Sequence, residues 1–412
     1  MKRRTVSRSL VLLAAASVAV AACGSDKDSA STTTAAATTT AGATATTVGA
    51  TATTAGATES TTGGTGSTSG AIDLASVCPA DIVVQTDWFP EAEHGALYEL
   101  VGDGYKIDTD KKLLRGPLVV DGQSTGVDIE IRTGGPSIGD QTVASQAYTD
   151  ESITLAYANN ESQVLQNAKT PLLSVVAPLE RNPQIIYWDP ATYPDVKTLK
   201  DLGDKNITIN VFSGGVFSDV FVAEGIWHAD QIDPSYNGAP DRFISEGNIA
   251  QQGFASAEPY LYQHEFTEWG KPIAYQLLDD AGFKVYSQTL AIRPDDKEKL
   301  APCLKKLVPI FQQSAIDFVN SPDRAIAIIL DAVKQYDTFW TYSQGVADFS
   351  VEQQKALGLV GNGPDSTLGN MDEDRIQGVI DQMRSAKLDF SADLKASDLF
   401  TNEFIDPSIG LK

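Results

Sequence analysis

The stretch "DIVVQTDWFPEAEHGALYELVGDGY", Asp81 to Tyr105, decides how the rest of the chain is read. An apolar run, Ile82 to Val84, reads as a strand. It leads into Asp87, Trp88 and Phe89, a proline, two more acids and His94. Pro90 stops a strand, and acids suit the first turn of a helix, so a strand–turn–helix is expected here. The helical pattern runs through "EHGALYELVGDG" and stops at a glycine pair. Two large rings and a histidine are more than a plain turn requires.

Strand and helix patterns continue to alternate downstream. "VDIEIR", "SITLAY", "PLLSVVAP", "QIIYW" and "ITINVF" read as strands, with helical "GDQTVASQAYTD" between the first two. "ITINVF" runs into "SGGVFSDVFVAEGIW", a strand, a glycine turn and a helix. "NIAQQGFAS", "PIAYQLL" and "VYSQTLAI" are further strands, and after Pro294 the chain is mainly helical. This order argues for α/β layers, and the length of 412 residues for two lobes. Open α/β sheets bind ligands beyond the carboxyl ends of their strands. The residues placed there are Asp87, Trp88, Phe89 and His94, then Gly134 and Gly135, Asn159, the loop Ser213, Gly214, Gly215, and Glu258.

Each of these has a structural alternative. Trp88 would serve as a core ring, and Asp87 as a cap for a helix starting near Glu91. His94 fits a structural helix position, and Glu258 before Pro259 an N-cap. The glycines suit turns, although Ser213 to Gly215 opens a helix whose free N–H groups would welcome a polar group. Asp87, Glu91, Glu93, Glu130 and Glu258 stand against only Arg132 and Arg181 at these strand ends. The balance favours a neutral or cationic heterocycle. An anion such as nitrate, taurine or another sulfonate, which needs dense donors, is the alternative.

The N-terminus carries a different message. "MKRRTVSRSLVLLAAASVAVAAC" has a basic start and an apolar run from Leu10 to Ala22, the pattern of a signal peptide over residues 1–22. "VAAC" resembles a bacterial lipobox, which would leave Cys23 as a lipidated first residue. Residues 23–77 follow as a tether, almost wholly Ser, Thr, Ala and Gly between Gly24 and Gly70 and expected to be disordered. As a coil it would span roughly 35 to 40 Å. Removing the first 22 residues leaves 27 Lys and Arg against 54 Asp and Glu, a net charge of −27. Binding to nucleic acid or to an anionic membrane surface by charge is thereby excluded. Cys78 and Cys303 remain, either bridged outside the cytoplasm or as two buried thiols.

The opening motif resembles that of the solute-binding proteins of ABC importers in the nitrate/sulfonate/taurine and thiamine-precursor (NMT1/THI5-like, SsuA-like) group. The resemblance rests on Asp87, Trp88, Pro90, His94, Leu97, Tyr98, Gly104 and Tyr105. It also uses Asp201, Leu202, Gly203 and Lys205 before the "ITINVF" strand, and the closing "DRIQGVIDQMRSAKLDFSADLKASDLFTNEFID". It covers about residues 80 to 410, with "EAE" before His94 and a long insertion at Lys106 to Gly122 as departures. It implies a type II periplasmic-binding-protein fold, two α/β lobes joined by two crossover strands near Val175 to Ile185 and Val285 to Ile292. Lobe 1 would comprise 78–177 and 290–412, and lobe 2 178–289. It further implies a monomer anchored to a Gram-positive-type cell membrane through Cys23. That monomer would deliver a small solute to ABC permease subunits, with no cofactor, metal or catalytic residue.

Enzymatic readings are weak. "GQSTG" (Gly122 to Gly126) fits a nucleophile elbow, but a strand rather than a helix follows it. The three histidines, His94, His228 and His264, have no metal-binding spacing, and phosphate-loop and dinucleotide fingerprints are absent from the sequence. An exported hydrolase is the remaining enzymatic alternative.

Overall fold

The computed structural model describes residues 72–412. The expected signal peptide, Cys23 and nearly all of the tether lie outside the described residues.

The first half of the chain supplies β1 (Asp81–Gln85), β2 (Lys106–Asp108), β3 (Leu113–Val120), β4 (Gln123–Arg132), β5 (Leu155–Ala158) and β6 (Leu173–Val176). The chain then crosses to a second sheet made of β7 (Gln184–Trp188), β8 (Ile209–Asn210), β9 (Ile232–Asp233), β10 (Ala250–Phe254) and β11 (Ala274–Leu277). It returns as β12 (Thr289–Ile292). Among the described residues the first sheet has seven strands in the order β2-β3-β4-β1-β5-β12-β6, and the second has five, β11-β7-β10-β8-β9. The two orders repeat one plan. β1 lies parallel between β4 and β5, and β8 lies parallel between β10 and β9. The strand that has just crossed over runs antiparallel to both neighbours, β12 between β5 and β6, and β7 between β10 and β11.

Burial explains which sequences occupy which places. β5 and β12 read LAYA and TLAI and are buried at every residue, as interior strands covered on both faces must be; β6, LSVV, ends the sheet and is equally buried, its outer side bridged by Phe400. The Lys106 to Gly122 insertion is not a loop. It forms β2 and β3, and Gly122, with φ +71°, turns β3 into β4. The hairpin thus extends the sheet edge, and "GQSTG" is its turn and the start of β4. "VYSQTLAI" is a strand only in its second half. Val285 and Tyr286 are buried in the core of lobe 2, whereas Leu290 and Ile292 belong to that of lobe 1.

Helices Lys297–Asn320, Asp323–Tyr336 and Gln344–Ala356 pack on lobe 1 through Leu304, Phe311, Ile329 and Val351. Helix Glu373–Ser385 departs from the expected assignment of 290–412 to lobe 1. Its apolar stripe, Ile376, Val379, Ile380 and Met383, joins the cluster of Phe221, Trp227 and Phe283 in lobe 2. That spacing buries one helix face, and lobe 2 offers the apolar wall.

From this helix Arg375 reaches both crossover segments. It donates to the carbonyl oxygens of Glu180, Lys284 and Val285 at 2.7, 2.6 and 3.0 Å. Its guanidinium stacks 3.8 Å from the Tyr286 ring centre and pairs with the Glu180 carboxylate at 2.8 Å. Arg181 similarly ties the first crossover to Asp279 and Asp280. A recess of about 620 Å³ opens on this arginine-bound hinge surface.

Cys78 and Cys303 form a disulfide that joins the segment before β1 to helix Lys297–Asn320, closing a loop of sequence separation 225. Reduction, or Cys78→Ser with Cys303→Ser, is expected to lower stability by about 2–5 kcal/mol, read by denaturant titration. An unchanged midpoint would show that the bridge adds nothing.

Candidate functional site

β1 ends at Gln85, whose amide donates to the carbonyls of Thr86 and Thr133, both at 3.1 Å. These bonds hold the β1 and β4 ends together, so the next residues leave the sheet from a fixed point. Asp87 follows, with about a third of its side chain exposed. His94 lies completely buried at the end of the short helical turn Ala92–His94, and its Nε2 meets an Asp87 oxygen at 2.8 Å. Gln288, from the second crossover, donates to the other Asp87 oxygen at 3.3 Å. Asp87 is therefore positioned by His94 from its own lobe and by Gln288 from the hinge.

Trp88 is partly buried and lies over Gly135. A Cβ built on Gly135 would fall 2.5 Å from the Trp88 ring, and φ is +55° there, so glycine is required twice over. The Gly134 N–H donates to the Trp88 carbonyl at 3.0 Å. The "TGGPS" glycines thus form the floor beneath the indole. Phe89 differs from its expected role as an open face. It is buried, 2% exposed, and backs Trp340 in a near-parallel stack at 6.0 Å.

Trp340 was not among the residues anticipated. It stands at 85° to Trp88 with centroids 6.0 Å apart, making an aromatic corner. Its indole N–H donates to the Pro90 carbonyl at 3.1 Å, and Tyr342 stacks beside it. The run "TFWTY", Thr338 to Tyr342, between two helices was the available signal.

The opposite wall comes from lobe 2. Glu258 begins a short helix after β10, and its carboxylate accepts the Phe254 N–H at 2.6 Å. Gly253 permits this, since a Cβ there would lie 2.6 Å from the Glu258 carboxyl carbon. Ser256, fully buried, donates to the Glu93 carboxylate across the lobes. Ser343 and Glu265 make a second bridge between the loop before helix Gln344–Ala356 and lobe 2.

Asn159 and the loop Ser213 to Gly215 stand apart from these contacts. Asn159 caps helix Asn160–Gln166, accepting the Ser162 N–H at 2.7 Å. Ser213 and Gly214 are exposed beyond β8, and Gly215 precedes helix Val216–Ala223. Among the described residues no hydrogen bond joins this loop to lobe 1.

Four carboxylates therefore gather where the lobes meet: Asp87, Glu91 and Glu93 from lobe 1, and Glu258 from lobe 2. Burial, reinforced by Glu93, Asp87 and Glu258, raises the Glu91 carboxyl well above its ordinary value. Burial raises Glu93 as well, against the Ser256 hydrogen bond that lowers it. Glu258 is pushed up to about 7, first by burial and further by Glu93. Neither counted arginine answers these charges. Arg132 is held by Glu130, Asp150 and Ser152, and Arg181 by the hinge acids.

No family model matches this chain, and none of the curated proteins matches it. Among solved structures it is similar to a protein from Bordetella bronchiseptica RB50, with a TM-score of 0.51 and 16% identity over 79% of this chain and 96% of that one. A zinc-bound ligand-binding component of an ABC-type import system from Staphylococcus aureus gives 0.49 and 11%, over 80% and 97%. The aliphatic sulphonate binding protein SsuA from Escherichia coli gives 0.46 and 13%, over 76% and 87%. At such identities likeness speaks only to fold. The fold itself is that of the periplasmic binding proteins, two α/β lobes with interchanged antiparallel strands.

Gly135→Ala should cost about 1–3 kcal/mol and displace the Trp88 ring, because overpacking and a left-handed backbone act together. Chemical denaturation and tryptophan emission check it. A variant with wild-type stability and emission would contradict the packing described.

Proposed function

We infer that this chain is the extracytoplasmic solute-binding component of an ABC importer, capturing a small molecule between its lobes by hinge closure. The observation that carries this reading is the Glu93–Ser256 contact across the lobes, beside the Trp88–Trp340 corner at the carboxyl ends of β1 and β10. The strands cross between the sheets through two adjacent segments, and the chain passes between the lobes again on either side of helix Glu373–Ser385; rotation about these connections opens the cleft. The chain acts as a monomer held to the membrane by lipid on Cys23, and its closed form is what the permease subunits recognise.

The solute is a neutral or cationic heterocycle, with a pyrimidine-like ring fitting the aromatic corner and its polar edge meeting Asp87 and Glu258. A sulfonate, taurine or nitrate is disfavoured by the commitment of Arg132 and Arg181 to other carboxylates. A hydrolase is disfavoured because Ser124 sits exposed in the β3–β4 hairpin. Turning no substrate over, the protein works through binding energy alone.

Thermal-shift screening against pyrimidines, flavins, polyamines, taurine, alkanesulfonates and nitrate tests this. A bound solute at a hundredfold excess over its Kd adds about 2.7 kcal/mol of stability. Trp88→Ala and Trp340→Ala should each weaken such binding by about 10-fold or more, since buried aromatic contacts carry about 1–3 kcal/mol. A tight ligand indifferent to both, or steady turnover of any compound, would overturn the reading.

A further inference from the structure

The junction of the lobes is chemically one-sided. Asp87, Glu91, Glu93 and Glu258 all present oxygen acceptors, and Glu258 comes from the lobe opposite the other three. Gln288, 6% exposed, adds to them: its Nε2 is used on Asp87 while its Oε1 is buried without a partner. Among the described residues no lysine or arginine pairs with any of the four acids, and the one cation-capable neighbour, His94, is engaged by Asp87. The remaining surface is the right-angled pair Trp88 and Trp340, whose ring faces attract positive charge. A divalent metal does not fit, because among the described residues no three His, Cys, Asp or Glu side chains converge closely enough to hold an ion.

We propose that the cargo is an organic cation, a protonated amine on an aromatic or apolar body, and that its positive charge is what permits the lobes to close. This rests on the solute-binding reading and sharpens it. Closure moves Glu258 toward Glu91 and Glu93 in a place sheltered from water, where like charges repel strongly. An ammonium group between them removes that repulsion and satisfies the acceptors with N–H donors, while its body fills the aromatic corner. A neutral ring gains only the second contribution, and an anion worsens the first. Closing is thereby coupled to loading with the right charge.

Protons compete with such a cargo, which gives two opposite pH dependences. The groups facing Glu258 are Glu93 and Glu91 from the segment after β1, Tyr236 from the loop after β9, Tyr187 from β7 and Tyr262 from its own helix. The tyrosines stay neutral throughout, each held above its ordinary value first by burial. Falling pH through about 7 protonates Glu258 in the closed state, so the empty protein closes more readily in acid. Rising pH restores the negative charge, so the affinity for a cation increases from pH 5 to pH 8, by about 10-fold for one group with a one-unit shift.

The test uses the mature protein labelled with a donor–acceptor dye pair, one dye on each lobe, and reads the closed fraction by energy transfer. Ligand-free wild type, Glu258→Gln, Glu93→Gln and Glu258→Gln with Glu91→Gln are compared at pH 5 and pH 8. The proposal expects wild type to be more closed at pH 5, and the Gln variants to be more closed than wild type at pH 8 with little pH response. The second arm adds benzylammonium, benzyl alcohol or benzenesulfonate at pH 8, one ring carrying three charges. Benzylammonium should be the one that closes wild type most, and Glu258→Gln should reduce its effect. Equal closed fractions in wild type and variants at both pH values, or greater closure with the alcohol or sulfonate, would overturn the proposal. Closure that responds to solute but not to these carboxylates removes the charge requirement and leaves the solute-binding reading standing. Absence of any inter-lobe motion in all variants removes both.

Discussion

Each lobe depends on a strand borrowed from chain that has already visited the other. β12 fills the gap between β5 and β6, and β7 the gap between β10 and β11. Because these strands are interior, their removal would strip hydrogen bonds from both neighbours, and neither sheet would close its core. The chain must therefore cross twice, and the crossings lie close enough for one side chain, Arg375, to bond carbonyls on both. Rotation about these connections is the motion that the proposed solute capture requires. The segments that follow β1 and β10 meet at the lobe junction through Glu93 and Ser256.

That geometry explains why charge is concentrated where it is. The overall excess of acid, 54 Asp and Glu against 31 Lys and Arg, is spread over a large surface and says little by itself. At the lobe junction the same excess acts at short range and with little water. Arginines elsewhere in the fold are used generously: Arg115, Arg132, Arg242 and Arg375 each meet carboxylates. Their absence from the cluster of Asp87, Glu91, Glu93 and Glu258 stands out against that background. Clustered carboxylates with no lysine or arginine among them weaken the empty closed state, so the arrangement costs stability that a bound solute can restore.

The α/β alternation, the strand at Asp81–Gln85 and the aromatic turn after it were legible in the sequence, because periodicity and turn residues are local signals. What was not legible came from contacts between distant parts of the chain. Phe89 reads as an exposed ring until Trp340 is placed on it, 250 residues beyond the Pro90 carbonyl to which the indole donates. Glu93 and Ser256 are 163 residues apart. "VYSQTLAI" looks like one strand because β-branched and aromatic residues run through it with no glycine or proline to break it, yet the hinge divides it between two cores. The final helix carries a stripe that either lobe would bury, and only the shape of lobe 2 decides the matter. Asn159 illustrates the reverse: its capping role follows from local helix geometry and was available without a ligand.

The most direct test of the hinged-cleft account is the inter-lobe distance distribution by pulsed dipolar spectroscopy, with spin labels at exposed positions on lobes 1 and 2. It would be recorded on protein isolated from its native host, and again after cargo is stripped by unfolding and refolding. The account predicts a short, narrow distribution in the first sample and a longer, broader one in the second, restored by the extract removed. Identical distributions in both samples, with or without the extract, would contradict it.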